Sequence, residues 1–230
     1  VADLDGSAAE AIAVEASEMG VATAAVTADV TDERQAIAMV TEAAENLGGL
    51  DIVVNIVGMA AWKTLFELDV ESWELDLSRN LTQHLFVCRA AAHVMIDQGT
   101  GGSMAVVSSV SGLYGAPNHA AYGAAKAGLM DLVRTMSQEW AGYNIRVNAV
   151  APDCIATPRV KATYDAQGID MDQQASDQGM PMARFGQPEE IAGPLVYLVS
   201  SLSTFVTGQS LVVDGGTQAA FPHVKVTTKF

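Results

Sequence analysis

The chain has 230 residues, half of them hydrophobic, and a formal net charge of −15. That length carries one well-buried α/β domain, and the acidic balance argues against nucleic acid or an anionic membrane as partner, since both select clustered Lys and Arg. Two cysteines, Cys88 and Cys154, make neither a disulfide framework nor a metal-binding spacing, and no apolar run is long enough for a membrane span, so a reducing, cytoplasmic setting is expected.

In chain order, residues 1–5 read as a strand end entering a helix over 7–19, which Gly20 stops. Residues 21–30 read as a strand. Asp32 is placed to cap the next helix, with Gln35 three residues on, and Gly48 and Gly49 end it. The β-branched run 50–57 reads as a strand buried on both faces. A long helical pattern covers 71–97, followed by a strand at 103–108 and a helix at 119–140. The last elements are a strand at 145–151, a helix at 187–200 opened by Gln187, Pro188, Glu189 and Glu190, and a short strand at 210–213. Alternating strand and helix means βαβ units, so the fold class is α/β with a doubly wound parallel sheet in a single domain. The polar, Met- and Gln-rich segment 158–185 lacks clear periodicity. It follows a strand, where open α/β sheets bind ligands, and is a candidate lid or substrate loop.

Tyr122 and Lys126 lie four apart within the 119–140 pattern, one helical turn from each other. A free phenol titrates near ~10 and is a poor acid or base at neutral pH. A neighbouring ammonium favours the phenolate and brings it toward useful proton transfer. Ser109, at the end of the preceding strand, is a candidate for holding a substrate oxygen.

These residues sit in an ordered series: Asp29 and Val30, then Asn55 to Gly58, Asn80 and Leu81, and Ser108 with Ser109. Tyr122 and Lys126 follow, then Asn148 and Pro152, Thr157 and Pro158, and Asp214 to Gly216. The series resembles the short-chain dehydrogenase/reductases over essentially the whole chain, in a Rossmann-like fold. The resemblance makes Tyr122 the general acid/base and has Lys126 lower its pKa and bond the nicotinamide ribose. Ser109, rather than Ser108, would orient the substrate oxygen, and Asn80 would hold a water connecting Lys126 to solvent. On the cofactor side it assigns the adenosine ribose to Asp3, which would repel a 2′-phosphate and so favours NAD over NADP. Asp29 and Val30 match the adenine contact, Asn55 and Gly58 the turn on the ribose side, and Pro152, Ile155 and Thr157 the nicotinamide side. Asp3 or Thr157 as a helix cap, and Asn80 as a residue closing a helix kink, are the competing structural readings.

Three departures stand out. The family's first strand, Gly-rich turn and helix, roughly 30 residues, have no counterpart, so the chain is expected to be an N-terminally incomplete form of a longer protein. Ile56 stands where a second Asn usually supports the turn, and Asp153 where Gly usually follows Pro152. The reading is an NAD-dependent oxidoreductase interconverting a secondary alcohol and a ketone, with the two long helices forming a homotetramer contact by resemblance. Its rival is a catalytically silent, cofactor-free binding or assembly protein of the same fold. The four histidines, His84, His93, His119 and His223, show no ligand spacing and read as ordinary. Met59, Trp62, Met180 and Met182 read as pocket lining or packing, and Cys88 and Cys154 as small buried residues.

Overall fold

The computed structural model describes residues 1–219; His223 lies outside them. All six strands pair in parallel, as the alternating pattern requires, but in two sheets. Strand β1 (Ala2–Asp3) pairs with β2 (Val26–Thr27), while β3 (Ile52–Asn55), β4 (Gly102–Val107), β5 (Ile145–Pro152) and β6 (Ser210–Val213) form a four-stranded sheet in that order. The break falls between β1 and β3. The central strand implied by the resemblance has no counterpart among the described residues.

That break explains two departures from expectation. Strand β2 is two residues long rather than ten because its partner is short: Val26 N–H donates to Val1 O and Ala28 N–H to Asp3 O, and the ladder ends there. Strand β3 is not buried on both faces. It pairs only with β4, and Ile52 and Val54 are 49% and 46% exposed. A β-branched run signals a central strand only when neighbours cover it.

Helices cover the larger sheet on both sides. Met104 and Val106 of β4 and Ile145, Val147 and Ala149 of β5 join one buried cluster with α2 (Glu33–Leu47), α4 (Gln83–Gln98) and α5 (Ala120–Trp140). The alternate residues Ala105 and Val150 face α8 (Pro188–Val199) through Ile191, Leu195 and Leu198. The period of two in β4 and β5 thus feeds two layers. Each fully buried Val, Ile or Met in them contributes about 1.5–3 kcal/mol. Helix α1 (Gly6–Ser17) covers the small sheet.

Caps set the helix starts. Asp5 accepts from the N–H groups of Ser7 and Ala8, and Asp32 from those of Arg34 and Gln35. The Gln35 side chain does not return to Asp32 as a capping box; its Oε1 accepts from Asp29 N–H at 3.0 Å, fastening the turn after β2. Glu190 Oε2 accepts from Gln187 N–H at 2.8 Å and opens α8.

The long 71–97 pattern is interrupted. Helix α3 (Val70–Leu77) passes through one π-helical turn, Ser78–Thr82, before α4 begins. The segment 158–185 is more ordered than its composition suggests. It contains α6 (Pro158–Gln167), capped by Thr157 with Pro at its first position, and α7 (Met171–Asp177), capped by Asp170. These helices bury little and owe their form to caps rather than to an apolar stripe, which is why hydrophobic periodicity missed them.

Candidate active site

The carboxyl ends of the parallel strands carry the candidate residues: Asp3 on β1, Asp29 after β2, Asn55 on β3, Ser108 and Ser109 after β4, and Pro152 on β5. Open α/β sheets bind ligands at this edge. Helix α5 runs beside β5 and presents Tyr122 and Lys126 one turn apart.

Lys126 is 2% exposed. Its Nζ donates to Val107 O at 2.8 Å and lies 5.6 Å from the centre of the Tyr122 ring, a cation–π approach. Burial lowers its pKa to about 8. Burial also raises the pKa of Tyr122, while a hydrogen bond with Ser109 lowers it and the Asp76 charge raises it. Desolvation of the phenolate is the largest influence on the phenol, and it works against the lowering expected from the ammonium. The two serines separate cleanly. Ser108 Oγ donates to Lys126 O at 3.0 Å and serves the backbone, whereas Ser109 Oγ faces Tyr122 and accepts from Ser111 N–H at 3.2 Å.

Asn80 is fully buried in the π-helical turn. Its Nδ2 donates to Met59 O at 2.8 Å and to Asp76 O at 2.9 Å, and its Oδ1 accepts from Met59 N–H at 3.0 Å. It therefore closes the kink and also fastens the loop after β3. Gly58 lies against it. A Cβ there would stand 2.8 Å from Asn80 Oδ1 and 3.1 Å from Lys126 Nζ, so only glycine leaves this approach open.

The Asn55 turn is braced from an unexpected source. Asn55 Oδ1 accepts from Val57 N–H at 3.2 Å, and its Nδ2 donates to Gln83 Oε1 at 2.9 Å. Gln83, fully buried, also donates to Val57 O at 3.2 Å. Gln83 supplies the support that Ile56 cannot give, and Ile56 points outward, 66% exposed. Neither Gln83 nor Asp76 was singled out in the sequence. Asp76 is 1% exposed, with both carboxylate oxygens accepting from Ala61 N–H, and burial raises its pKa. Their signal was present: 76, 80, 83 and 84 form a polar stripe at helical spacing on a face that turns inward.

Of the remaining candidates, Asp3 is exposed, and Asp5 rather than Asp3 caps α1; Asp3 Oδ1 accepts from Asp5 N–H at 2.9 Å. Asp29 Oδ1 accepts from the N–H and hydroxyl of Thr31, holding Val30 in a tight turn. Thr157 takes the cap role, its Oγ1 accepting from Val160 N–H at 3.3 Å, and Ile155 is bridged to Gly186. A cavity of about 90 Å³ opens at the ends of β5 and β6, lined by Asp153, Ile155, Met180, Met182 and Asp214 among others. Tyr114 faces the same carboxylates, and burial with the Asp153 and Asp214 charges pushes its pKa up to about 12. Cys88 is fully buried as expected, but Cys154 is half-buried and lines that cavity.

His119 is not ordinary. Its ring stands 5.4 Å from the Tyr122 ring and 4.1 Å from the Trp62 ring. His84 is fully buried, and burial followed by the Lys126 charge holds its pKa well below the usual imidazole range. Among the described residues, no cluster of His, Cys, Asp or Glu could hold a metal ion and no helix is long and apolar enough to cross a membrane.

The Gly58 approach, with two protons of Lys126 Nζ free beside it, fits the ribose and nicotinamide half of a dinucleotide.

A family model described as enoyl-(acyl carrier protein) reductase matches residues 1–218. The "Inactive 2-(S)-hydroxypropyl-CoM dehydrogenase 2" of Xanthobacter autotrophicus is 37% identical over 94% of this chain and 93% of its own length. The L-rhamnose 1-dehydrogenase (NAD(P)(+)) of Azotobacter vinelandii is 35% identical over 89% of this chain and 79% of its own. Among solved structures, 7α-hydroxysteroid dehydrogenase complexed with NADH and 7-oxo glycochenodeoxycholic acid superposes with a TM-score of 0.86 at 30% identity. That match covers 94% of this chain and 82% of the other.

Proposed function

The chain belongs to the short-chain dehydrogenase/reductase family of nicotinamide-dependent oxidoreductases, and from that premise we propose that it interconverts a secondary alcohol and a ketone, with NAD preferred. The observation that carries the reading is the arrangement of Ser109 and Tyr122 beside the buried Lys126 and Asn80 at the carboxyl edge of the sheet. The nicotinamide, when bound, supplies or accepts the hydride.

The chain's own residues do the rest. Ser109 Oγ holds the substrate oxygen beside the phenol. Tyr122 gives its hydroxyl proton to that oxygen in reduction and takes it back in oxidation. Lys126, with a pKa of about 8, is positioned to restore the proton, while Asn80 fixes the loop that forms the wall next to it. Lys126 also offers its free N–H donors to the ribose, and Gly58 leaves the space. Asp3 accepts from the adenosine ribose hydroxyls and repels a 2′-phosphate, while Asp29 with Val30 takes the adenine. Asn55 shapes the ribose-side turn; Pro152, Ile155 and Thr157 flank the nicotinamide. Segment 158–185 serves as the substrate lid, and the working form is a cytoplasmic homotetramer built on the two long helical stretches, 71–97 and 119–140.

A second reading, a silent protein of the same fold, is favoured by a relative named inactive. NADH fluorescence titration separates the two, followed by an alcohol panel with NAD⁺. Saturable binding with turnover that Tyr122→Phe abolishes supports the enzyme. Absence of binding, or full turnover by Tyr122→Phe, refutes it.

A further inference from the structure

The proton-transfer set leaves one group beside the phenol without a task. His119 immediately precedes α5, and the backbone fixes it firmly: Gly123 N–H donates to His119 O at 2.6 Å and Lys63 N–H to Asn118 O at 3.3 Å. Asn118, at a φ of 64°, turns the chain into the helix. The imidazole stands between two aromatic neighbours, 5.4 Å from the Tyr122 ring and 4.1 Å from the Trp62 ring.

Its two nitrogens differ. Nδ1 is enclosed and has no hydrogen-bond partner among the described residues, whereas Nε2 is not enclosed. An enclosed N–H without an acceptor is a costlier arrangement than an enclosed lone pair. The neutral ring therefore carries its proton on Nε2. Burial lowers the pKa of His119 more than the Asp76 charge raises it, which keeps the ring neutral at pH 7. The site thus holds an uncharged N–H donor one helical turn from the reacting phenol. Trp62, 71% exposed, gives an apolar plate beside it.

We propose that His119 is a substrate-binding residue whose Nε2–H holds a second oxygen of the substrate, on a carbon next to the reacting carbon or one further removed. The substrate class is then a hydroxy-ketone or diol rather than a simple alcohol. The proposal rests on the alcohol–ketone reading of the site.

The test uses matched pairs with the whole chain and NAD⁺: butane-2,3-diol against butan-2-ol, and cyclohexane-1,2-diol against cyclohexanol. His119→Phe retains a ring against Trp62 and removes the donor; His119→Gln returns one. In the unsubstituted protein kcat/KM favours the diol by about tenfold, the value of one hydrogen bond. His119→Phe brings the ratio close to one through loss on the diol alone, leaving the simple alcohol within about twofold, and His119→Gln restores part of the preference. Equal loss on both members of a pair, an unchanged ratio, or no diol preference at the outset overturns the proposal. Absent NADH binding is a different failure: it removes the oxidoreductase reading, and this proposal falls with it.

Discussion

Replacing Lys126 by Met keeps the reach of the side chain and removes its charge. The ammonium is 2% exposed, and burial lowers its pKa from 10.5 to about 8. A drop of that size costs the folded state about 3 kcal/mol at neutral pH. Met removes this penalty but leaves Val107 O without the donor it has at 2.8 Å, a loss of about 1–2 kcal/mol. Lys126→Met is therefore expected to be inactive and yet more stable than the unsubstituted protein by about 1–2 kcal/mol near pH 7. The pH dependence has a definite sign. The folded pKa lies below the unfolded one, so the unfolded chain binds more protons between about 8 and 10.5. The penalty is complete below the folded value and is relieved as pH rises toward the unfolded one. The advantage of the Met variant should shrink across that window, vanish within it and become a deficit of about 1–2 kcal/mol near its top, where only the lost bond to Val107 O remains. Cys88, Cys154 and Tyr114, raised to about 12 by burial, destabilise both proteins alike at high pH and cancel in the difference. Urea unfolding of the two proteins at equal chain concentration, at several pH values from neutral upward, reads this difference directly. A difference that stays constant across the window would refute the idea that the ammonium is held against its hydration.

Three further outcomes follow from the geometry. Ser109→Ala should lower kcat by about a hundredfold or more with little change in the melting temperature. Ser108→Ala should do the opposite, because it removes the buried bond that Ser108 Oγ donates to Lys126 O, at a cost of about 1 kcal/mol; steady-state kinetics and thermal melts of the pair decide. Gly58→Ala should weaken NADH binding by about tenfold or more, since its Cβ meets Asn80 Oδ1 at 2.8 Å and must displace the loop; a fluorescence titration reads it. Asp3→Ala should cut kcat/KM with NAD⁺ by about tenfold or more while that with NADP⁺ holds or rises; a fixed ratio between the two would remove Asp3 from cofactor choice.

Local chemistry made much of the fold readable. Asp32 before an amphipathic run accepts from the N–H groups of Arg34 and Gln35, the N–H at Gly48 closes the end of that helix, and Pro188 opens α8 where no N–H donor is needed. The caps at Thr157 and Asp170 use the same chemistry, but they open helices that carry no apolar stripe. The polar stripe Asp76, Asn80, Gln83 and His84 shows the converse. Each residue alone looks like a solvent-facing helix position, and only the packing of α3 and α4 reveals that the stripe points inward to brace the loop from Asn55 to Ala61.

By itself, then, the sequence determined the α/β alternation, the family, and the order in which Ser109, Tyr122 and Lys126 arrive, because these depend on periodicity and on motifs of fixed spacing. Tertiary structure alone decided that Ser108 is spent on the backbone of α5 and that burial raises the Tyr122 pKa. It also decided that Gln83 braces the Asn55 turn and that His119 borders the site. Those outcomes depend on how much water each group loses and on which distant backbone group it meets, quantities that no spacing along the chain encodes.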